Sequence, residues 1–177
     1  KENVAKALAP MGKAYTDILR EGYENGWIDV VANANKRSGA YSWGAYGTHP
    51  YVLLNQQDDL DSMFTLAHEM GHAIHTYYSD KTQPYRYSGY LIFVAEVAST
   101  CNECLLNHYL LEHETEAKNR NYILNHYLEN FRTTLFRQTM FAEFEKIVHE
   151  KTALGESLTK DELNKIYHDL NVRYYGP

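Results

Sequence analysis

Residues 63–77 read Met-Phe-Thr-Leu-Ala-His-Glu-Met-Gly-His-Ala-Ile-His-Thr-Tyr, and the architecture around them follows from their spacing. Apolar side chains fall at Met63, Leu66, Ala67, Met70, Ile74 and Tyr77, the three-and-four rhythm of a helix with one face against a core. The acids Asp58, Asp59 and Asp61 precede this run, where they suit the positive end of a helix dipole. At 3.6 residues per turn, His68 and His72 leave the same side one turn apart, and Glu69 stands about 100° round the axis. Two imidazoles so placed can bind one divalent cation, with a carboxylate beside its open position, which is the geometry of a zinc hydrolase. Five letters also match by chance, so the reading turns on a third ligand.

Pro84 and Gly89 mark a connection over residues 81–89, and a second helix is expected to follow it. Its first turns, Tyr90 to Ser99, are apolar on nearly every side except at Glu96. A buried, unpaired carboxylate is costly, whereas a nearby divalent cation favours its charged form. Glu96 is therefore predicted to be the third zinc ligand, on an antiparallel partner helix 24 positions beyond His72. The competing reading pairs Glu96 with an Arg or Lys and treats His68 and His72 as ordinary histidines. Glu103 lies two turns further along the same face. It is expected to accept a hydrogen bond from the free N–H of a ligand imidazole, with a solvated surface acid as the alternative.

With 177 residues, 44% of them hydrophobic, the chain has the size and bulk of one ordinary domain. The formal charge is −6 and no basic block occurs, so nucleic acid is excluded as a partner. No apolar run approaches about 18 residues and no charged-then-apolar leader opens the chain. A membrane span and a secretion signal are thus not expected, and the chain reads as soluble and cytoplasmic. Cys101 and Cys104 fall inside the second helix and have no second pair to complete a tetrahedral site, which favours two reduced packing thiols. Among 16 tyrosines, Tyr41, Tyr46, Tyr51, Tyr85, Tyr87 and Tyr90 cluster in expected loops. There they pack at surfaces or line a cleft that holds peptide.

Elsewhere the pattern predicts an amphipathic helix over Val4–Tyr23, a short extended piece at Trp27–Ala32 and a small sheet within Ser38–Asn55. Long helices are expected from about Gly89 to Glu114, from Asn119 to about Thr152 and from Thr159 to Tyr174, the last opened by a capping box of Thr159 and Glu162. The predicted fold class is mainly α, a helical zincin-like catalytic subdomain with a small β-sheet next to the His-Glu-x-x-His helix. Residues 1–177 are read as a single catalytic region.

The blocks His68 to His72, Glu96 to Thr100 with Asn102 and Glu103, Lys36 to Tyr41, His49 to Asn55 and Tyr174 to Pro177 together resemble oligoendopeptidase F, a branch of the thimet-type (M3) zinc oligopeptidases. The resemblance covers essentially the whole chain. It implies one Zn²⁺ held by His68, His72 and Glu96, with Glu69 as the catalytic acid/base that activates a water at the metal. It also implies short peptides as substrates, cut at internal bonds inside a helical channel. Members of that family are longer, so the chain is expected to be a fragment partnered by the remainder of the enzyme before residue 1 and after residue 177. An extended peptide is predicted to pair with the strand Tyr51, Val52, Leu53, Leu54 and Asn55, because backbone pairing tolerates varied side chains. The alternatives are a helical zinc carboxypeptidase or dipeptidyl carboxypeptidase, and a non-catalytic helical binding module.

Overall fold

A computed structural model describes residues 1–177, which divide into two compact units, Lys1–Ile123 and Leu124–Pro177. The first unit contains α1 (Glu2–Ala7), α2 (Lys13–Glu24), β1 (Ile28–Asp29), β2 (Tyr41–Trp43), β3 (Tyr51–Leu53), α3 (Leu60–Thr82) and α4 (Ile92–His113). The division falls within α5 (Ala117–Asn130). The fold is mainly helical with one small sheet, as the sequence pattern predicts. No helix is long and apolar enough to cross a membrane.

The single helix expected over Val4–Tyr23 is broken into α1 and α2. A 3-10 turn at Ala9–Met11 contains Pro10, and Gly12 follows with φ +88°. Proline has no N–H for the helical ladder and its ring crowds the preceding turn, while glycine reaches a positive φ without a Cβ penalty. Val4, Leu8, Leu19 and Trp27 still join the core, where they meet Val52 and Leu54 of the sheet region and Met70, Ile74 and Leu106 of the long helices.

The sheet order is β1-β3-β2, parallel between β1 and β3 and antiparallel between β2 and β3, with Val52 opposite both Ile28 and Ser42. The N–H groups of Val52 and Leu54 donate to the carbonyls of Trp27 and Asp29, both at 2.8 Å. Strand groups alternate, so Tyr51 and Leu53 pair with β2, and β3 is taken on both sides. This corrects the expectation that a peptide adds to Tyr51–Asn55. Strands β1 and β2 are the two edges, and on β2 the peptide group of Ser42 turns away from β3. Asn55 has another role: its Nδ2 donates to the carbonyls of Arg37 at 2.9 Å and Gly39 at 2.8 Å, fixing the loop that leads into β2.

Asp59 begins α3 by accepting the Ser62 N–H at 2.8 Å. Asp59→Ala in the full-length polypeptide is expected to lower the denaturation midpoint through loss of this cap. An unchanged midpoint would show that the cap contributes nothing. Helix α4 runs antiparallel to α3, as its successive contacts show: Asn102 meets Ala67, Ser99 meets Gly71, and Tyr90, just before α4, meets Thr76.

In the second unit, residues Phe131–Phe136 form a π-helical segment leading into α6 (Arg137–Ala153), and α7 (Lys160–Tyr175) follows. The helix expected from Asn119 to about Thr152 is thus present, with a π-helical segment between α5 and α6. The Thr159–Glu162 capping box is present. Helices α6 and α7 meet where Glu143 accepts from Arg173 and, at 2.7 Å, from the Tyr174 hydroxyl.

Candidate metal centre

Helix α3 presents His68 and His72 with their Nε2 atoms 3.0 Å apart. From α4, Glu96 brings Oε2 to 3.4 Å from His68 Nε2 and 3.7 Å from His72 Nε2. These three side chains can each offer one ligand atom within 4.8 Å of the others, and no other group of His, Cys, Asp and Glu does so. Two ring nitrogens and a carboxylate oxygen converging on one point can share a proton or hold a divalent cation between them.

Each of the three side chains is held or tuned by the groups behind it. His68 Nδ1 bonds the Glu103 carboxylate, which assigns the ring proton to Nδ1 and leaves Nε2 as the donor atom. Burial pushes the His68 pKa down, but the bonded Glu103 carboxylate outweighs it and the ring is held above the usual histidine value. For His72, burial and then the charge of His68 lower the pKa, favouring the neutral imidazole that binds metals. The Ser99 hydroxyl, fully buried, donates to Glu96 Oε2 at 3.0 Å, the oxygen that faces both imidazoles.

Glu69 is buried, and its Oε2 has no hydrogen-bond partner. Burial is the main reason its pKa is pushed up from 4.5 to about 7. The charge of His68 opposes the rise, Glu96 and Glu103 add to it, and the main-chain N–H of Ser42 opposes it. Glu69 thus lies beside the edge strand β2, with its carboxyl held above the usual carboxylate range.

The environment of Glu96 differs from the buried apolar one expected. Its side chain is 45% exposed, and Leu91 and Phe93 are 78% and 79% exposed. An apolar run shows that a helix wants cover but not what covers it, and α3 packs only on the side of Ala95 and Ser99. Cys101 and Cys104 are likewise exposed rather than packed in the core. Of the strand residues predicted to bind peptide, Val52 and Leu54 are buried, Tyr51 is exposed, Leu53 is half-buried and Asn55 holds the loop. The structure adds Ser42, Ser99, Asn102 and Gly71 to the site, none singled out from the spacing. Only Gly71, a glycine inside a helical pattern, carried a local signal.

At Gly71 a Cβ would sit 2.7 Å from Ser99 Cα and 2.9 Å from the Ala98 carbonyl oxygen, both backbone atoms of α4. Gly71→Ala is therefore expected to force the helices apart and destabilise the full-length polypeptide by about 1–3 kcal/mol, with weaker zinc binding in chelator competition. A variant matching the parent in both would show that the approach is not tight.

The sequence pattern of peptidase family M3 matches residues 4–177. The chain belongs to peptidase family M3. It is 56% identical over 176 residues to oligopeptidase PepF of Bacillus subtilis (strain 168), covering 99% of this chain and 26% of that protein. It superposes on a crystal structure of oligoendopeptidase-F from Enterococcus faecium with a TM-score of 0.62 at 37% identity, covering 99% of this chain and 24% of that one. A crystal structure from Chlamydophila abortus gives a TM-score of 0.81 at 42% identity over 99% of this chain and 30% of that one. The chain thus spans about a quarter to a third of the length of these M3 relatives.

Proposed function

We propose that residues 1–177 act as one catalytic region of a longer zinc endopeptidase, which hydrolyses internal bonds of short peptides. The observation that carries this reading is the convergence of His68, His72 and Glu96 beside Glu69, whose buried Oε2 is unpartnered. The donor set of two imidazole nitrogens and one carboxylate oxygen suits Zn²⁺ and leaves a coordination position for chemistry.

Zinc bound there would lower the pKa of a water toward about 7 and polarise the scissile carbonyl. Glu69 takes the proton at Oε2, the oxygen left without a partner, and later gives it to the departing amine. Glu103 keeps the His68 proton on Nδ1, and Ser99 steadies Glu96. The edge strand β2 takes an extended peptide by backbone pairing, which orders the chain beside Glu69 with little demand on side chains. We place the activity in the cytoplasm, since a chain with two cysteines in 177 residues suits a reducing compartment.

Mass analysis of products from a short peptide blocked at both ends tests this reading in the full-length polypeptide. Internal cuts are expected. Activity restricted to peptides with a free C-terminus, with release of terminal residues or dipeptides only, would replace it with an exopeptidase.

A further inference from the structure

Two bonds made by successive residues tie α4 to α3 beside the ligands. Glu103 bonds His68 Nδ1, and the preceding residue, Asn102, donates from Nδ2 to the carbonyl of Ala67 at 3.0 Å, the residue preceding His68. Asn102 is completely buried, and its Oδ1 accepts the Tyr15 hydroxyl of α2 at 2.9 Å. Both ends of this amide are thus used, one on the backbone of the metal helix and one on a helix that supports it. Burial pushes the Tyr15 pKa up to about 12, so the phenol stays protonated and donates.

Apolar packing between two helices is tolerant of sliding, because similar side chains recur every turn. A buried amide with two fixed partners is not, since any slip leaves polar groups unpaired away from water. Gly71 reinforces this: a Cβ there would meet Asn102 Nδ2 at 3.1 Å and Ser99 Cα at 2.7 Å. The register matters because Glu96 and Glu103, seven residues apart on α4, must reach the Nε2 side and the Nδ1 side of the same His68 ring.

We propose that Asn102, held by Tyr15, is the positioning residue that sets the register of α4 on α3, so that Glu96 and Glu103 engage opposite sides of His68 together. It acts through the Ala67 carbonyl and touches neither metal nor substrate. The inference rests on the zinc reading above.

The test is the double variant Tyr15→Phe with Asn102→Leu in the full-length polypeptide, which removes the polar pair without stranding a hydroxyl in the core. Thermal midpoint, zinc affinity by chelator competition, the visible spectrum of the Co²⁺-loaded protein, and kcat and KM are measured. The expected result is a midpoint close to the parent, zinc binding weakened about tenfold to a hundredfold, an altered Co²⁺ spectrum, and a fall in kcat with KM within about twofold. Parental zinc affinity and Co²⁺ spectrum in the folded variant would overturn the proposal, leaving Asn102 a core-filling residue. Should the double variant not fold, Tyr15→Phe alone decides: a smaller weakening of zinc supports the proposal and parental affinity overturns it. A parent protein that takes up neither ion would overturn the zinc reading, and this inference with it.

Discussion

Glu69→Gln in the full-length polypeptide is expected to retain one zinc per chain and to lose hydrolysis of a quenched fluorescent peptide by on the order of 10²–10⁴-fold. The amide keeps the volume of the side chain and leaves His68, His72 and Glu96 in place, so the loss isolates proton transfer. Turnover near the parental rate would remove Glu69 from the mechanism. The same substitution has a signature in stability. Burial raises the folded-state pKa of Glu69 from 4.5 to about 7, so the folded state holds a proton that the unfolded chain releases between those values. Stability of the metal-free protein is therefore greatest below about pH 4.5 as far as this group is concerned, and falls as pH rises through about 7. Subtracting the profile of Glu69→Gln from that of the parent should reveal this decline; a flat difference would mean that burial does not perturb the carboxyl.

His68→Ala is expected to have the largest effect on metal content, from one zinc per chain to almost none, with activity at background. The substitution removes one donor and leaves the Glu103 carboxylate facing a void, so the two helices lose both the cation and a bond between them. Chelation of the parent should mimic it, with activity restored by added zinc in the parent and not in the variant. Stability should follow the metal, since a ligand that binds only the folded state at about a thousand times its Kd adds about 4 kcal/mol. Parental zinc stoichiometry and affinity in the purified variant would sink the assignment of His68 as a ligand.

Much of this site is visible in local spacing. His68 and His72 one turn apart, Glu69 beside them and the stripe from Met63 to Tyr77 follow from helical geometry. Pro10 and Gly12 could have located the break between α1 and α2, but the apolar rhythm runs across it and conceals it. Glu96 is the one acid of an apolar run, but that run is not buried: its apolar neighbours are exposed within this unit, and the Ser99 hydroxyl bonds the carboxylate.

The chain of residues by itself determined the two long helices, the paired imidazoles and the carboxylate between them, because each depends on neighbours within a turn or two. Only the tertiary structure decided that β3 is flanked on both sides, with β1 and β2 as the edges, and that Asn102 bonds the Ala67 carbonyl while Gly71 lies against Ser99. Those facts depend on pairings between residues some 10 to 90 positions apart, such as Tyr15 with Asn102, and periodicity along one element carries no information about its partner across the core.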